Sequence, residues 1–101
     1  MEEQELSRAL IAYLGRGRSA FPMSDADAAA EVAADAHADP EALLAGVLAV
    51  VAECMAIEID WSNATLSEAG DEAEQVMATR HPELSAAALG ALRWCFTYNW
   101  R

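Results

Sequence analysis

Hydrophobic residues recur along this chain at helical spacing, interrupted by short polar stretches. In "EEQELSRALIAYLG", Leu6, Leu10, Tyr13 and Leu14 share a face with Ala9, the i, i+4, i+7, i+8 pattern of an amphipathic helix. Glu2, Glu3 and Glu5 suit the positive end of its dipole, and Gly15 is a natural stop. "RGRSAFPM" predicts a loop in which Phe21 folds back on the core and Pro22 stiffens the exit. In "SDADAAAEVAADAHA", Ser24 is placed to cap a second helix, with Asp27 in a box-like position. The apolar side of that helix is nearly all Ala with Val32, so it packs closely and buries little.

Asp39 and Pro40 form a strong start signal, an N-cap followed by a residue suited to the first helical position. From Pro40 to Ile59 the chain is apolar around most of a helical circumference, which predicts a central helix on which the others pack. Asp60, Ser62 and Asn63 then form a turn. Helical spacing returns with Leu66, Ala69, Ala73, Val76 and Met77, while Glu68, Asp71, Glu72 and Glu74 lie largely off that stripe. His81-Pro82 ends the segment, because a residue before proline avoids the helical region. Ser85 caps the last segment.

The closing stretch reads two ways. Trp94, Phe96, Tyr98 and Trp100 alternate with Cys95, Thr97, Asn99 and Arg101, a strand signal, and "IEIDW" from Ile57 to Trp61 alternates likewise. Leu84, Ala88, Leu92 and Cys95, however, form a helical stripe with no stop after it. A lone two-stranded ribbon is marginal in water, so helix is the expectation and a minor C-terminal β element the fallback. On a helix, Trp94 pairs with Tyr98 and Phe96 with Trp100 on different sides. Trp94 follows the Leu92 stripe and is assigned to the core; Phe96 and Trp100 are assigned to contact with another chain. The predicted fold is all-α, one domain over residues 1–101, with four or five short helices around the 40–59 segment.

Charge narrows the partners. Seventeen Asp and Glu stand against six Arg with no Lys, a net charge of −11. Such a surface repels phosphate backbones and anionic lipid, which argues against nucleic-acid and membrane binding. The longest apolar run, "ALLAGVLAVVA", falls short of the ~20 residues needed to span a bilayer. The acidic N-terminus has no basic n-region, and Cys54 and Cys95 sit in apolar surroundings, so a cytoplasmic protein with free thiols is expected. Asp27, Glu31, Asp35 and Asp39 fall four apart, either a solvated face or a docking strip for a basic partner.

Signals for chemistry are weak. Cys54, Cys95, His37 and His81 are enough in number for zinc, but no pair has chelate spacing, so no metal or cofactor is expected. Glu53 and Glu58 lie on the most apolar segment; Glu53 is expected to pair with an Arg, with Arg93 the candidate. Cys95 with His81 has no flanking signature of a nucleophile and base, and no enzyme activity is expected. The loop "GRGRS", residues 15–19, lacks the lysine and spacing of a phosphate-binding loop and reads as a solvated turn. The expected function is a non-enzymatic interaction protein. It would act through Phe96, Trp100 and the Asp27–Glu31–Asp35–Asp39 stripe, on a basic protein it neutralises or regulates; the alternatives are a self-associating homodimer with no foreign partner, or a small metal- or thiol-dependent enzyme built on Glu53, Cys95 and the histidines.

Overall fold

A computed structural model describes residues 3–100, and side chains from Glu5 to Trp100. The expectations for Glu2 and Arg101 lie outside the described residues. Five helices follow in order: α1 Glu3–Leu14, α2 Ala26–Asp35, α3 Pro40–Met55, α4 Leu66–Arg80 and α5 Ala86–Asn99. Among the described residues there is no strand, so the terminal aromatic stretch is helical and the β fallback does not occur.

Local chemistry accounts for the boundaries. α1 ends at Gly15, whose φ of +77° is readily adopted only without a Cβ. α2 starts one residue later than expected: Asp25, not Ser24, accepts from the Ala28 N–H at 3.0 Å. Asp39 caps α3 by accepting from Glu41 and Ala42, with Pro40 in the first turn as predicted. α4 has a full capping box, in which Thr65 and Glu68 each accept the other's backbone N–H, at 3.1 and 2.9 Å. Ser85 caps α5 through the Ala88 N–H.

The core joins all five helices. Leu10 and Leu14 of α1, Leu43 and Val47 of α3, Met77 of α4, and Leu92 and Phe96 of α5 are its largest fully buried side chains, with Cys54. α2 buries Ala29 and Ala33 and packs Val32 partly against the core, consistent with its small apolar face. α3 packs against α1, α2 and α5, but it stops at Met55 rather than Ile59 and leaves Leu48 exposed. α4 and α5 lie close enough at Gly70 that a Cβ there would stand 2.7 Å from Thr97 Cγ2. Ser7 on α1 is buried and accepts the Ser85 N–H at 3.0 Å, tying the first helix to the start of the last. The shortest dimension, 19 Å, matches two helix diameters of ~10 Å each. So thin a body cannot cover both sides of every apolar helix.

Candidate functional site

The uncovered apolar surface gathers where α3 ends. Past Met55 the chain runs through residues 56–61 without regular structure, and this segment crosses beside the last turn of α5. Ile57 and Ile59 are half-buried against the core, while Glu58 and Asp60 face water. The result is an open groove of about 390 Å³ lined by Met55, Ile57, Ile59, Trp61, Trp100 and Glu58. Trp61 and Trp100 are 39% and 50% exposed and lie against each other, ring centroids 5.4 Å apart. Asp60 anchors the turn by accepting from Ser62 Oγ and Asn63 Nδ2, and these bonds hold its carboxyl below the ordinary range. Met55 also borders a second hollow, with Val51, Met23 and Tyr98, that extends the apolar surface toward α1.

This arrangement corrects the assignment of the terminal aromatics. Phe96 is fully buried, so its ring is closed to a second chain, whereas Trp94 packs against the core as expected but stays partly exposed, under the Arg16 guanidinium 5.0 Å from its ring centroid. Trp100 is exposed as expected, but its ring packs on Trp61 and lies 6.3 Å from Phe96. Phe21 does not fold back on the core: it is 55% exposed. The loop bends instead around Arg18, which donates to the Ala12 carbonyl at 2.7 Å and to Asp25 Oδ2 at 3.1 Å. Both loop arginines thus serve the fold. The Ala28 N–H and Arg18 together hold the Asp25 carboxyl below its usual range.

The acidic stripe is divided. Asp27, Glu31 and Asp35 are exposed along α2, and Glu31 and Asp35 border a shallow polar hollow with Arg18. Asp39 lies beyond α2, and its carboxylate is engaged as the cap of α3.

Of the groups considered for chemistry, Cys54 neighbours Cys95 and Glu53, and Glu53 meets His81. Among the described residues, no cluster of three or more His, Cys, Asp or Glu has a metal-binding arrangement. His37 ends α2 in the left-handed region, φ +56°, where its N–H donates to Ala34 and that of Ala38 to Ala33, the Schellman pattern. Cys54 and Cys95 are free and buried. Burial pushes the Cys54 thiol up to about 12, with the neighbouring Cys95 and Glu53 adding to the effect. Burial also raises Cys95, against a lowering contact from Asn99. Glu53 pairs not with Arg93 but with His81, at 2.7 Å, and Arg80, at 3.3 Å; these bonds lower its carboxyl, the His81 bond foremost. Arg93 reaches across to α4 instead, donating to Asp71 at 3.0 Å and to the Ser67 carbonyl at 3.0 Å.

Comparison with family models, curated proteins and solved structures finds no match to this chain. Its function therefore has to be argued from the geometry. Among the described residues, no helix is long and apolar enough to cross a membrane.

Proposed function

We propose that this protein is a non-enzymatic, cytoplasmic interaction module that docks a basic partner protein over the Met55–Trp61–Trp100 groove. The observation that carries this reading is the Trp61–Trp100 pair, two large rings held together and half in water beside Met55, Ile57 and Ile59. Tryptophans in a partly desolvated apolar setting are the residues that most often dominate a protein–protein contact. The occupant follows from charge. Glu58 lines the groove and Asp60 stands next to it, on a molecule of net charge −11. A chain presenting apolar side chains flanked by Lys or Arg complements that surface. The exposed Asp27, Glu31 and Asp35 then steer the approach without forming the contact.

The same apolar surface would serve a second copy of this chain. Two bodies of like charge repel, so a basic partner is preferred over a homodimer. The thiols support the non-enzymatic reading: a nucleophilic cysteine has its thiolate favoured, whereas burial disfavours it at Cys54 and Cys95. Two free, buried thiols also suit a reducing compartment.

A nuclear magnetic resonance titration with a helical peptide built only of Leu and Lys tests the docking site. The indole signals of Trp61 and Trp100 and the amides of Met55–Trp61 are expected to move most, and a Leu–Glu peptide is expected to move none. Shifts centred on Asp27, Glu31 and Asp35, with the indoles unmoved, would overturn the reading.

A further inference from the structure

Outside the groove, one side-chain cluster joins elements that are distant in sequence. His81 closes α4 and opens the connector to α5. Its N–H donates to the Met77 carbonyl at 2.8 Å and its carbonyl accepts from Leu84 at 3.0 Å, so main-chain bonds fix where the ring starts. Nε2 lies 2.7 Å from Glu53 Oε2 on α3, and Nδ1 lies 3.1 Å from Glu83 Oε1 on the connector. Arg80, the last residue of α4, donates to the other oxygen of Glu53 at 3.3 Å. The charged groups on this site are therefore Glu53 from α3, Arg80 from α4, and Glu83 from the connector itself.

An ionised carboxylate only accepts hydrogen bonds, and a neutral imidazole has one donor and one acceptor. A neutral His81 would satisfy one carboxylate and turn a lone pair on the other. Both contacts are met only when both ring nitrogens carry protons. We infer that His81, Glu53 and Glu83 form a pH-operated latch, in which the imidazolium clamps the last turn of α3 to the α4–α5 connector and loss of its proton releases that clamp.

The electrostatics agree with the geometry. The bond to Glu53 raises the His81 pKa above the ordinary histidine range and Glu83 adds to it, against a lowering from burial. The latch is thus closed below that raised value and opens as pH rises through it. At the acid end Glu53, held below its ordinary value, keeps its charge until pH falls through that lowered value. Glu53 lies one turn before the groove segment, so an opened latch loosens the turn from which residues 56–61 depart, leaving Arg80 to hold Glu53. This last consequence rests on the docking function proposed above; the latch itself does not.

The test follows the His81 ring nitrogens by resonance spectroscopy across pH in the full chain, beside Glu53→Gln and Glu83→Gln. A midpoint above that of a free histidine is expected. It should fall in both variants, and amide exchange in the last turn of α3 should quicken above the midpoint after correction for the intrinsic rate. A midpoint at or below that of a free histidine, or one that neither substitution moves, would overturn the latch. If Glu53→Gln fails to fold, Glu83→Gln alone decides, since Glu83 lies outside the helices. Indole signals of Trp61 and Trp100 that follow the same midpoint link the latch to the groove. Indoles that stay fixed while His81 titrates refute that link and leave the docking site to its own peptide titration.

Discussion

Phe96 and Trp100 sit one helical turn apart and have different roles. Phe96 is among the largest fully buried side chains, and Trp100 is half exposed at the end of α5. Phe96→Ala is expected to cost about 3–5 kcal/mol, the range for a buried aromatic truncated to a methyl. Trp100→Ala should cost well under half of that, since its ring has less to lose from burial. Urea denaturation of both variants measures the contrast. His37 offers a change of opposite sign. A non-glycine residue in the left-handed region carries about 1–2 kcal/mol of strain, so His37→Gly should raise the melting temperature while keeping the end of α2. At this scale, what the sequence reveals depends on range. The caps at Asp39 and Ser85 are legible because a cap answers to backbone a few residues away. The partners of Glu53 and the burial of Phe96 are not, because both depend on which helices lie alongside. The Thr65–Glu68 box is equally local, a T-x-x-E spacing before an apolar residue.

Each stretch of apolar residues at helical spacing forms a helix, because a stripe of that period is buried as one, but α3 ends at Met55 although the apolar run continues to Ile59. The spacing of the terminal aromatics shows that some must stay exposed, but not that Trp61 would join Trp100 there. α3 is apolar on nearly all sides, yet a body two helices thick covers only part of it, leaving Leu48 exposed and Met55 at the edge of the groove. That surplus, together with Ile57, Ile59 and Trp61, matters as much as the C-terminal aromatics. The α4–α5 seam depends on a missing side chain. Gly70→Ala would gain about 1 kcal/mol in helix propensity, but its methyl meets Thr97 Cγ2 at 2.7 Å and crowds the Arg93 guanidinium. Overpacking of this kind costs roughly 1–3 kcal/mol, so thermal melting is expected to show a net loss of stability. The α3–connector junction carries a pH signature. His81, raised in the fold, contributes stability that is full below its unfolded pKa and is lost as pH rises through its folded value. Glu53, lowered in the fold, contributes stability that is present above its unfolded pKa and is lost as pH falls through its folded value. Denaturation midpoints recorded across pH should therefore fall on the alkaline side of the histidine range in the parent, and this step should be absent in His81→Gln.

For the whole molecule, charge and shape act together. A net charge of −11 on a thin bundle repels phosphate and like-charged molecules, while the end of α3 exposes apolar surface lined in part by Glu58. Composition makes the sign of the molecule's own charge legible. It does not locate the contact, since that surface exists only once the 56–61 segment lies beside the end of α5. The two contributions separate by salt. Raising ionic strength should slow association with a basic partner, whereas removing the rings should shorten the lifetime of the complex. Calorimetric titration of the Leu–Lys peptide into the parent, the Trp61→Ala/Trp100→Ala double variant and an Asp27→Asn/Glu31→Gln/Asp35→Asn variant tests the docking claim most directly. The account predicts that the double tryptophan variant loses at least tenfold in affinity, ~1.4 kcal/mol, and that the charge variant loses less. Equal affinity for the parent and the tryptophan variant, with binding abolished in the charge variant, would contradict it.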